Sequence, residues 1–276
     1  MVSDLVLVDD ADGVRTITLN RPEARNAFNT DLYRATGTAL DDADADDTVR
    51  VLILTGAGKG FSAGQDLKEM AQVGRPGERD PKVDGPDADG AEEHGFRTFI
   101  DAIEGFSKPL IAAVHGAAVG IGTTMLPYCD FVIVADDARL RLPFVPLGVV
   151  PEAGSSFTIP AIVGRQQASV LLLLGEWLDG PGAVAVGLAL KCVPRDDLDT
   201  EVNALARQLA GSSAASLAAT KRLIRAGWLD AARAARTREE EVFSTLLGHG
   251  DSKAALEQFT SGGHYDPPQR AQSLEA

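Results

Sequence analysis

Short apolar runs separated by glycine-rich loops dominate the first two thirds of the chain. Apolar and polar residues alternate over 5–9 (LVLVD) and 15–19 (RTITL), and the Asp12-Gly13 pair between them predicts a β-hairpin. Uninterrupted apolar runs, typical of strands that are covered on both faces, occur at 51–55 (VLILT), 110–114 (LIAAV) and 131–135 (FVIVA). Helical spacing of apolar residues predicts helices at 30–40, 96–105 and near 123. Strand, glycine loop and helix recur, which indicates an α/β fold.

The pattern changes after about residue 198, where only helical spacing remains. It predicts helices at 198–210, 214–226, 230–247 and 251–260. We therefore divide the chain into a core domain, 1–197, and a C-terminal helical region, 198–276. The Ala-rich segment 229–243 fits either a contact with a partner subunit or a solvated helix. Residues 74–95 are rich in Pro, Gly and Asp, which predicts a solvated and mobile surface insertion.

The formal net charge of −14 over 276 residues argues against two classes of partner. Nucleic-acid binding rests on clustered Lys and Arg, and the same negative field disfavours anionic membrane surfaces. Three segments carry most of this charge: 1–12 with −4, 41–47 with −5 and 74–95 with −4. The rest of the chain is close to neutral, so a site built there can still accept an anionic small molecule.

One stretch imitates a membrane span, since Pro109–Cys129 contains no Asp, Glu, Lys or Arg. Its glycines, threonines and His115 offer little apolar surface to lipid, so we interpret it as a buried strand, a glycine turn and a buried helix. The N-terminus lacks a signal-peptide pattern. Cys129 and Cys192 lie in apolar runs without metal-ligand spacing, which favours buried thiols in a reducing cytoplasm over a disulfide. We therefore expect a cytoplasmic protein without a metal site.

Two glycine loops are the first candidates for chemistry: FSAGQDL (61–67) and AAVGIGTTM (117–125). Each follows an apolar strand and leads into a helix, so each can present backbone amides to a developing negative charge. The two together would form an oxyanion hole, although tight structural turns are the simpler interpretation. Other motifs fail: GAGKG (56–60) lacks the Ser or Thr of a phosphate loop, and GSS (154–156) is no serine-hydrolase elbow.

A single carboxyl, Glu152, lies in the otherwise uncharged stretch 142–160. Burial disfavours the ionised form of a carboxyl and raises its pKa, which suits a general base near neutral pH. A glutamate near the start of a helix is the structural alternative. For His115, among small apolar residues, a buried and hydrogen-bonded structural role is favoured over a catalytic one.

Four segments in consistent order resemble the crotonase family, also called the enoyl-CoA hydratase/isomerase family. They are NRPEARNAFN (20–29), ILTGAGKGFSAGQDLKEM (53–70), 108–140 and GVVPEAGSSFTIP (148–160) with its continuation to 176. The resemblance implies a spiral of ββα turns and a C-terminal helical trimerisation region, giving a homotrimer or a dimer of trimers. It also implies an acyl-CoA thioester as substrate, with no separate cofactor because coenzyme A is part of that substrate.

The resemblance also implies roles for particular residues. The oxyanion amides of the family fall on Ala63 and Ile121, and Glu152 takes the place of a catalytic glutamate. Arg25 meets a phosphate of CoA or is simply an exposed loop arginine, and the side chain of Asp66 is expected to cap the following helix. The family's CoA contacts, made mostly by backbone groups, fall on Ala24, Arg25, Ala27, Gly64, Asp66 and Leu67.

The reaction depends on which carboxylates are present. Hydratases of this family use two glutamates, and their positions here hold Thr124 and Phe144. The run PEAGSSFTIP instead resembles peroxisomal-type 3-enoyl-CoA isomerases, whose single glutamate corresponds to Glu152. We therefore expect an acyl-CoA double-bond isomerase. A hydratase or another crotonase-family reaction is the alternative, and a non-catalytic acyl-CoA-binding subunit is the alternative from another class.

Overall fold

The computed structural model describes residues 4–73, 95–247 and 249–260, and its strands form two sheets. Six strands in the order β1-β2-β3-β4-β6-β9 form the larger sheet, and β5-β7-β8 form the smaller one. The strands are β1 (Val6–Ala11), β2 (Val14–Leu19), β3 (Val51–Gly56), β4 (Leu110–Val114), β5 (Ala117–Val119), β6 (Phe131–Ala135), β7 (Arg139–Arg141), β8 (Leu178–Asp179) and β9 (Lys191–Val193).

The predicted hairpin is confirmed. Strands β1 and β2 pair antiparallel, in a register that runs from Val6 opposite Leu19 to Ala11 opposite Val14. The turn between them places Asp12 at φ 53° and Gly13 at φ 79°, the left-handed conformation that two-residue hairpin turns require. From β2 onward the larger sheet is parallel, which is the arrangement expected for strands joined by helical crossovers.

The path of the chain is a spiral between the two sheets. Strand β4 of the larger sheet leads to β5 of the smaller, β6 leads to β7, and β8 is followed by β9. A helix lies in or after each of these turns, so the repeating unit is two strands and a helix. The α/β class and the ββα spiral expected from the resemblance are both present.

The helices largely follow the predicted pattern. They are α1 (Thr30–Ala45), α2 (Leu67–Val73), α3 (Gly95–Gly105), α4 (Ile121–Thr124), α5 (Ser155–Val163), α6 (Arg165–Ser169), α7 (Gly180–Ala185), α8 (Leu198–Ala210), α9 (Ala214–Leu246) and α10 (Gly250–Thr260). A π-helical turn, Val170–Leu174, continues α6. The first helix extends five residues beyond the predicted end at residue 40. The predicted insertion at 74–95 lies outside the described residues, apart from Gly95 at the start of α3.

The prediction of two separate helices at 214–226 and 230–247 is wrong, because α9 runs without a break. Gly227 lowers helix propensity by about 1 kcal/mol, yet the residues after it pack well enough to keep the helix continuous. Trp228 packs edge-on against Tyr128, with ring centroids 5.5 Å apart. Tertiary packing therefore overrides the local signal.

The uninterrupted apolar runs are explained by cores on both faces of the larger sheet. Along β3, Leu52 and Leu54 point into the main core, while Val51 and Ile53 point into a second cluster. Helix α8 covers that second face with Leu198, Val202 and Ala206, among others. Strands buried on both faces need apolar residues at every position rather than at alternate ones.

The stretch 109–129 forms β4, β5, α4 and a short 3-10 turn, as interpreted from its glycines. Among the described residues, no helix has both the length and the apolar character needed to cross a membrane. Both cysteines are free thiols, but each residue is only partly buried, whereas the sequence predicts buried thiols. Desolvation raises the pKa of the Cys129 thiol to about 12. No group of three or more potential metal ligands occurs within the described ranges.

Candidate active site

The two glycine loops lie side by side and are joined by backbone hydrogen bonds. We call them the amide loops, residues 61–66 and 117–124. The Ser62 amide donates to the Ala117 carbonyl at 3.0 Å, and the Val119 amide donates to the Ser62 carbonyl at 2.9 Å. Gly64 has φ 90°, and a Cβ on it would lie 2.6 Å from the Val119 carbonyl oxygen. Only glycine permits this approach, which brings the ends of the two loops together.

In the second amide loop, the amide of Ile121 has no acceptor among the described residues. Gly120, at φ 52°, precedes α4, and its carbonyl accepts the amides of Thr123 at 2.8 Å and Thr124 at 2.9 Å. The first amide of a helix has no partner within that helix. Ile121 is fully buried, so its amide is kept away from bulk water in a place where a bound oxygen would complete its hydrogen bonding.

In the first amide loop, the predicted donor is already occupied. The Ala63 amide donates to the Arg25 carbonyl at 2.9 Å, which leaves it no proton to offer a ligand. Two residues later, the backbone around Gln65 is bonded on both sides: the Phe28 amide donates to the Gly64 carbonyl at 2.7 Å, and the Asp66 amide donates to the Phe28 carbonyl at 2.8 Å. The amide of Gln65 itself has no acceptor within the described part of the chain. Gln65 rather than Ala63 therefore presents the open amide of this loop.

The difference between Ala63 and Gln65 arises from a distant segment. Asn26, fully buried and at φ 55°, donates to the carbonyls of Ala57 and Gly60, each at 2.9 Å. These bonds hold residues 21–28 against the first amide loop and bring the Arg25 carbonyl to Ala63. Ala63 and Gln65 flank Gly64 in the sequence, so no local pattern distinguishes the occupied amide from the open one.

The predicted CoA contacts lie on two adjoining segments. Ala24 ends a short 3-10 turn, and Arg25 and Ala27 follow it. The other three residues, Gly64, Asp66 and Leu67, lie in the first amide loop and at the start of α2. The Asp66 carboxylate accepts the Lys68 amide at 3.1 Å, so its predicted capping role is confirmed, and it also pairs with Arg21 at 3.2 Å. The Arg25 side chain is exposed, which is compatible with either of its two interpretations.

Glu152 lies on a tight turn before α5, which we call the carboxyl turn, residues 151–156. Two successive residues of this turn adopt the left-handed conformation, Ala153 at φ 56° and Gly154 at φ 70°. The side chain of Glu152 is half-buried, and its pKa is raised to about 8. Desolvation is the main cause and the charge of Glu239 the second, while the Thr124 hydroxyl opposes both. The predicted rise in pKa is therefore confirmed.

Contacts from distant elements hold the carboxyl turn. The Tyr128 hydroxyl donates to the Ala153 carbonyl at 2.6 Å. The carboxylate of Glu239, in α9, accepts the amides of Gly154 and Ser156, both at 2.7 Å. Sequence reasoning missed both residues. Glu239 lies in the run EEE (239–241) of the Ala-rich segment 229–243, whose pattern predicts only a subunit contact or a solvated helix.

The positions of the two hydratase glutamates hold no acid in the structure either. Thr124 is fully buried, and its hydroxyl lowers the pKa of Glu152, which couples the carboxyl turn to the second amide loop. Its hydroxyl has no hydrogen bond of ordinary geometry within the described residues. Phe144 is 5% exposed and belongs to the core. His115 is buried, and its Nε2 lies 3.3 Å from the Gly58 carbonyl oxygen, as its structural interpretation expects.

A buried tyrosine completes the surroundings of Glu152. The Tyr33 hydroxyl donates to Oε1 of the Gln65 side chain at 2.8 Å, and the ring packs against Phe28, Phe96 and Phe99. Burial raises the pKa of Tyr33, and the charges of Glu152 and Glu69 raise it further. Glu152 and the side chain of Gln65 therefore lie in the same neighbourhood, although nothing in the sequence marks Tyr33.

Comparisons with known proteins agree with this fold. The family model described as enoyl-CoA hydratase/isomerase matches residues 9–265. Enoyl-CoA delta isomerase 2 of Rattus norvegicus is 35% identical over 226 residues, which cover 80% of this chain and 54% of that protein. A probable enoyl-CoA hydratase, echA8, of Mycobacterium bovis is 31% identical over 259 residues, covering 94% and 96%. An enoyl-CoA hydratase/isomerase structure from Pseudoalteromonas atlantica has a TM-score of 0.84 at 32% identity, covering 94% of this chain and 98% of that one.

The chain therefore belongs to the enoyl-CoA hydratase/isomerase, or crotonase, family. It is an enzyme of that family with the crotonase fold, and an acyl-CoA thioester is the substrate class consistent with it. Both isomerases and hydratases occur among its relatives, so the family alone does not select the reaction.

Proposed function

We propose that this protein is an acyl-CoA double-bond isomerase that converts a 3-enoyl-CoA into the trans-2-enoyl-CoA. The observation that carries the proposal is the carboxyl of Glu152, half-buried, with a pKa raised to about 8, beside Thr124 at the end of the second amide loop. Thr124 and Phe144 replace the two carboxylates with which hydratases of the family position and activate water. The site is therefore equipped for proton transfer by one carboxyl and lacks the usual pair for hydration.

In the proposed reaction, the Glu152 carboxylate removes a proton from C2 of the substrate. The electron pair of that C–H bond forms a C1–C2 double bond, and negative charge moves to the thioester oxygen. The open amides of Ile121 and Gln65 donate hydrogen bonds to this oxygen. Ala63 does not have the donor role predicted for it, because its amide already donates to the Arg25 carbonyl. The thioester carbonyl then re-forms, the C1–C2 π pair moves to C2–C3, and the π pair of the former C3–C4 double bond takes the proton from Glu152 to make the new C4–H bond.

The acid strength of Glu152 suits both halves of this cycle. A carboxyl with a pKa of about 8 is a stronger base than an ordinary glutamate, and its protonated form is present near neutral pH to return the proton. Residues 24–27 and the start of α2 border the first amide loop, and we propose that Ala24, Arg25, Ala27, Gly64, Asp66 and Leu67 contact the CoA moiety.

The test is turnover of purified protein with a panel of 2- and 3-enoyl-CoA esters of varied acyl length. The conjugated trans-2-enoyl thioester should accumulate from 3-enoyl-CoA. The variant Glu152→Gln should lose about 10²- to 10⁴-fold in kcat. Glu241→Gln, which removes an exposed carboxyl of α9, is the matched control and should turn over like the parent.

Other outcomes would contradict the proposal in distinct ways. Hydration of crotonyl-CoA at a higher kcat/KM than isomerisation would identify the protein as a hydratase. Binding of acyl-CoA without turnover of any ester would identify a non-catalytic subunit. Full isomerase activity of Glu152→Gln would remove Glu152 from the mechanism.

We also propose the homotrimer, or dimer of trimers, that the family resemblance implies. Leu223 and Ile224 support an assembly through the C-terminal helices, because these apolar side chains of α9 are 74% and 75% exposed in the single chain. Sedimentation at micromolar concentration should give the mass of three or six chains. A monomer would contradict the proposal.

A further inference from the structure

The carboxylate of Glu239 belongs to α9, yet both of its oxygens are bonded to the carboxyl turn. Oε2 accepts the Gly154 amide and Oε1 accepts the Ser156 amide, each at 2.7 Å. The residue is 5% exposed, which is rare for a glutamate. These amides belong to the start of α5, where backbone donors have no partner within the helix. A buried carboxylate with two amide donors at a helix start is held firmly in place.

The turn that Glu239 holds has a conformation that its sequence does not favour. Ala153 has φ 56°, a left-handed value that residues with a Cβ rarely adopt. Gly154 follows at φ 70°, and a Cβ there would lie 2.7 Å from the Ala232 carbonyl oxygen of α9. The Tyr128 hydroxyl fixes the Ala153 carbonyl from the other side. The direction of the Glu152 side chain thus depends on contacts made by residues 153–156 with α9 and Tyr128.

Charged and titratable groups face Glu152 from several elements. Glu239 faces it from α9 and raises its pKa by charge repulsion, while the Thr124 hydroxyl on α4 lowers it. Tyr33 belongs to α1, and the charges of Glu152 and Glu69 both raise its pKa. Tyr128 lies between Glu152's turn and Glu104 of α3, whose carboxylate pairs with Arg233 at 3.2 Å and Arg236 at 3.5 Å.

Glu239 is the carboxyl of this pair whose oxygens accept backbone amides. Desolvation raises the pKa of Glu239, while the hydrogen bonds from Ser156 and Gly154 and the charge of Arg238 oppose that rise by favouring the negative form. Glu152 accepts no backbone amide within the described residues, and desolvation and the charge of Glu239 raise its pKa to about 8. The two amide bonds therefore favour a negative charge on Glu239, and this charge acts on the Glu152 carboxyl.

We infer that Glu239 is a positioning residue for the acid/base, which holds the strained carboxyl turn and places a fixed negative charge beside the Glu152 carboxyl. The inference rests on the proposed function, because it has Glu239 position Glu152, the proposed acid/base. Helix α9, in the C-terminal region, is then part of the catalytic apparatus and not only a surface for assembly. Removing the charge should lower the pKa of Glu152, and loosening the turn should lower kcat.

The experiment compares Glu239→Gln with Glu241→Gln, which removes a charge from the same helix at an exposed position. The pH dependence of kcat/KM gives the midpoint for ionisation of the base. A titration by NMR of protein labelled with ¹³C at the glutamate carboxyl gives the same midpoint without turnover, with Glu152→Gln identifying the signal. Glu239→Gln should move the midpoint down by about one pH unit and lower kcat about tenfold, while Glu241→Gln should leave both unchanged.

Each outcome decides the inference. If the midpoint does not shift in a folded Glu239→Gln protein, the inference is overturned even if kcat falls. A merely structural role of Glu239 would lower kcat without moving the midpoint. An equal shift in Glu241→Gln would overturn it by showing an effect of net charge alone. If Glu239→Gln does not fold, Glu239→Asp decides. It keeps the charge, so it should retain the midpoint with a reduced kcat, and an undiminished kcat would contradict the inference.

Failure of the proposed function gives a different result. If the parent protein has no isomerase activity, the proposed reaction is wrong. The NMR midpoints of Glu152 in the parent and in Glu239→Gln still measure the coupling between the two carboxyls.

Discussion

The amide loops and the carboxyl turn supply the two halves of the candidate site in different ways. The amide loops present backbone groups, and glycines within the loops permit the close approach of the two backbones. The carboxyl turn presents one side chain, and its shape is fixed by Tyr128 and Glu239 from distant parts of the chain. The close approach of the amide loops depends on their own glycines, although the distant segment 21–28 decides which amide of the first loop is open. The half that carries the titrating group is held mainly by distant side chains.

The largest expected effect concerns stability at the carboxyl turn. An unfolded glutamate has a pKa near 4.3, whereas folded Glu152 holds its proton up to about 8. The folded state therefore binds more protons between these values, and its stability falls as the pH rises through this window. Glu152→Gln cannot lose a proton, so it should be more stable than the parent by a few kcal/mol at pH 9 and by much less at pH 4.

Urea denaturation of both proteins at pH 4, 6, 7.5 and 9 measures this difference, and Glu241→Gln serves as the control. A difference that does not grow with pH would show that Glu152 ionises at an ordinary pKa. The contrast between the two halves of the site would then lose its electrostatic basis.

The next effect tests the amide loops. In Gly64→Ala a Cβ would meet the Val119 carbonyl oxygen at 2.6 Å, and φ 90° disfavours any L side chain. The adjoining Gln65 amide should move, and loss of one oxyanion donor typically lowers kcat by about 10²- to 10³-fold. Gly105→Ala, where no atom lies within 4 Å of the added Cβ, is the control. Equal kcat values in the two variants, measured with 3-enoyl-CoA, would show that the loop geometry is not needed.

A smaller effect compares two buried tyrosines. Tyr128→Phe removes the hydrogen bond to the Ala153 carbonyl, so the turn should loosen and kcat should fall about tenfold, with the free energy of unfolding reduced by about 1 kcal/mol. Tyr33→Phe removes a bond to the Gln65 side chain instead and should cost less in kcat, because the Gln65 amide is held by backbone bonds. Steady-state kinetics and thermal unfolding of both variants check this order, and a reversed order would contradict it.

The same contrast explains how much could be predicted from the sequence. The hairpin, the doubly covered strands and both amide loops follow from apolar runs, glycines and turn residues, which act over a few positions. The raised pKa of Glu152 follows from its uncharged neighbours in the stretch 142–160. By contrast, Glu239 and Tyr128 reach the carboxyl turn only through the folded arrangement of α9 and the segment after α4. The occupied amide of Ala63 and the unbroken helix across Gly227 likewise depend on partners far along the chain.

The smallest expected effect concerns Thr124, where the two halves of the site meet. Its hydroxyl lowers the pKa of Glu152 against the two effects that raise it, so Thr124→Val should move the midpoint of kcat/KM up by about half a pH unit. At pH 7 a smaller fraction of Glu152 is then ionised, and kcat/KM should fall about threefold. Thr123→Val is the matched control, because the Thr123 hydroxyl donates to the Ala118 carbonyl at 2.6 Å. That variant should lose stability and keep the midpoint. A midpoint that moves down in Thr124→Val would show that the hydroxyl favours the protonated carboxyl, and the coupling between the second amide loop and the carboxyl turn would have the opposite sign.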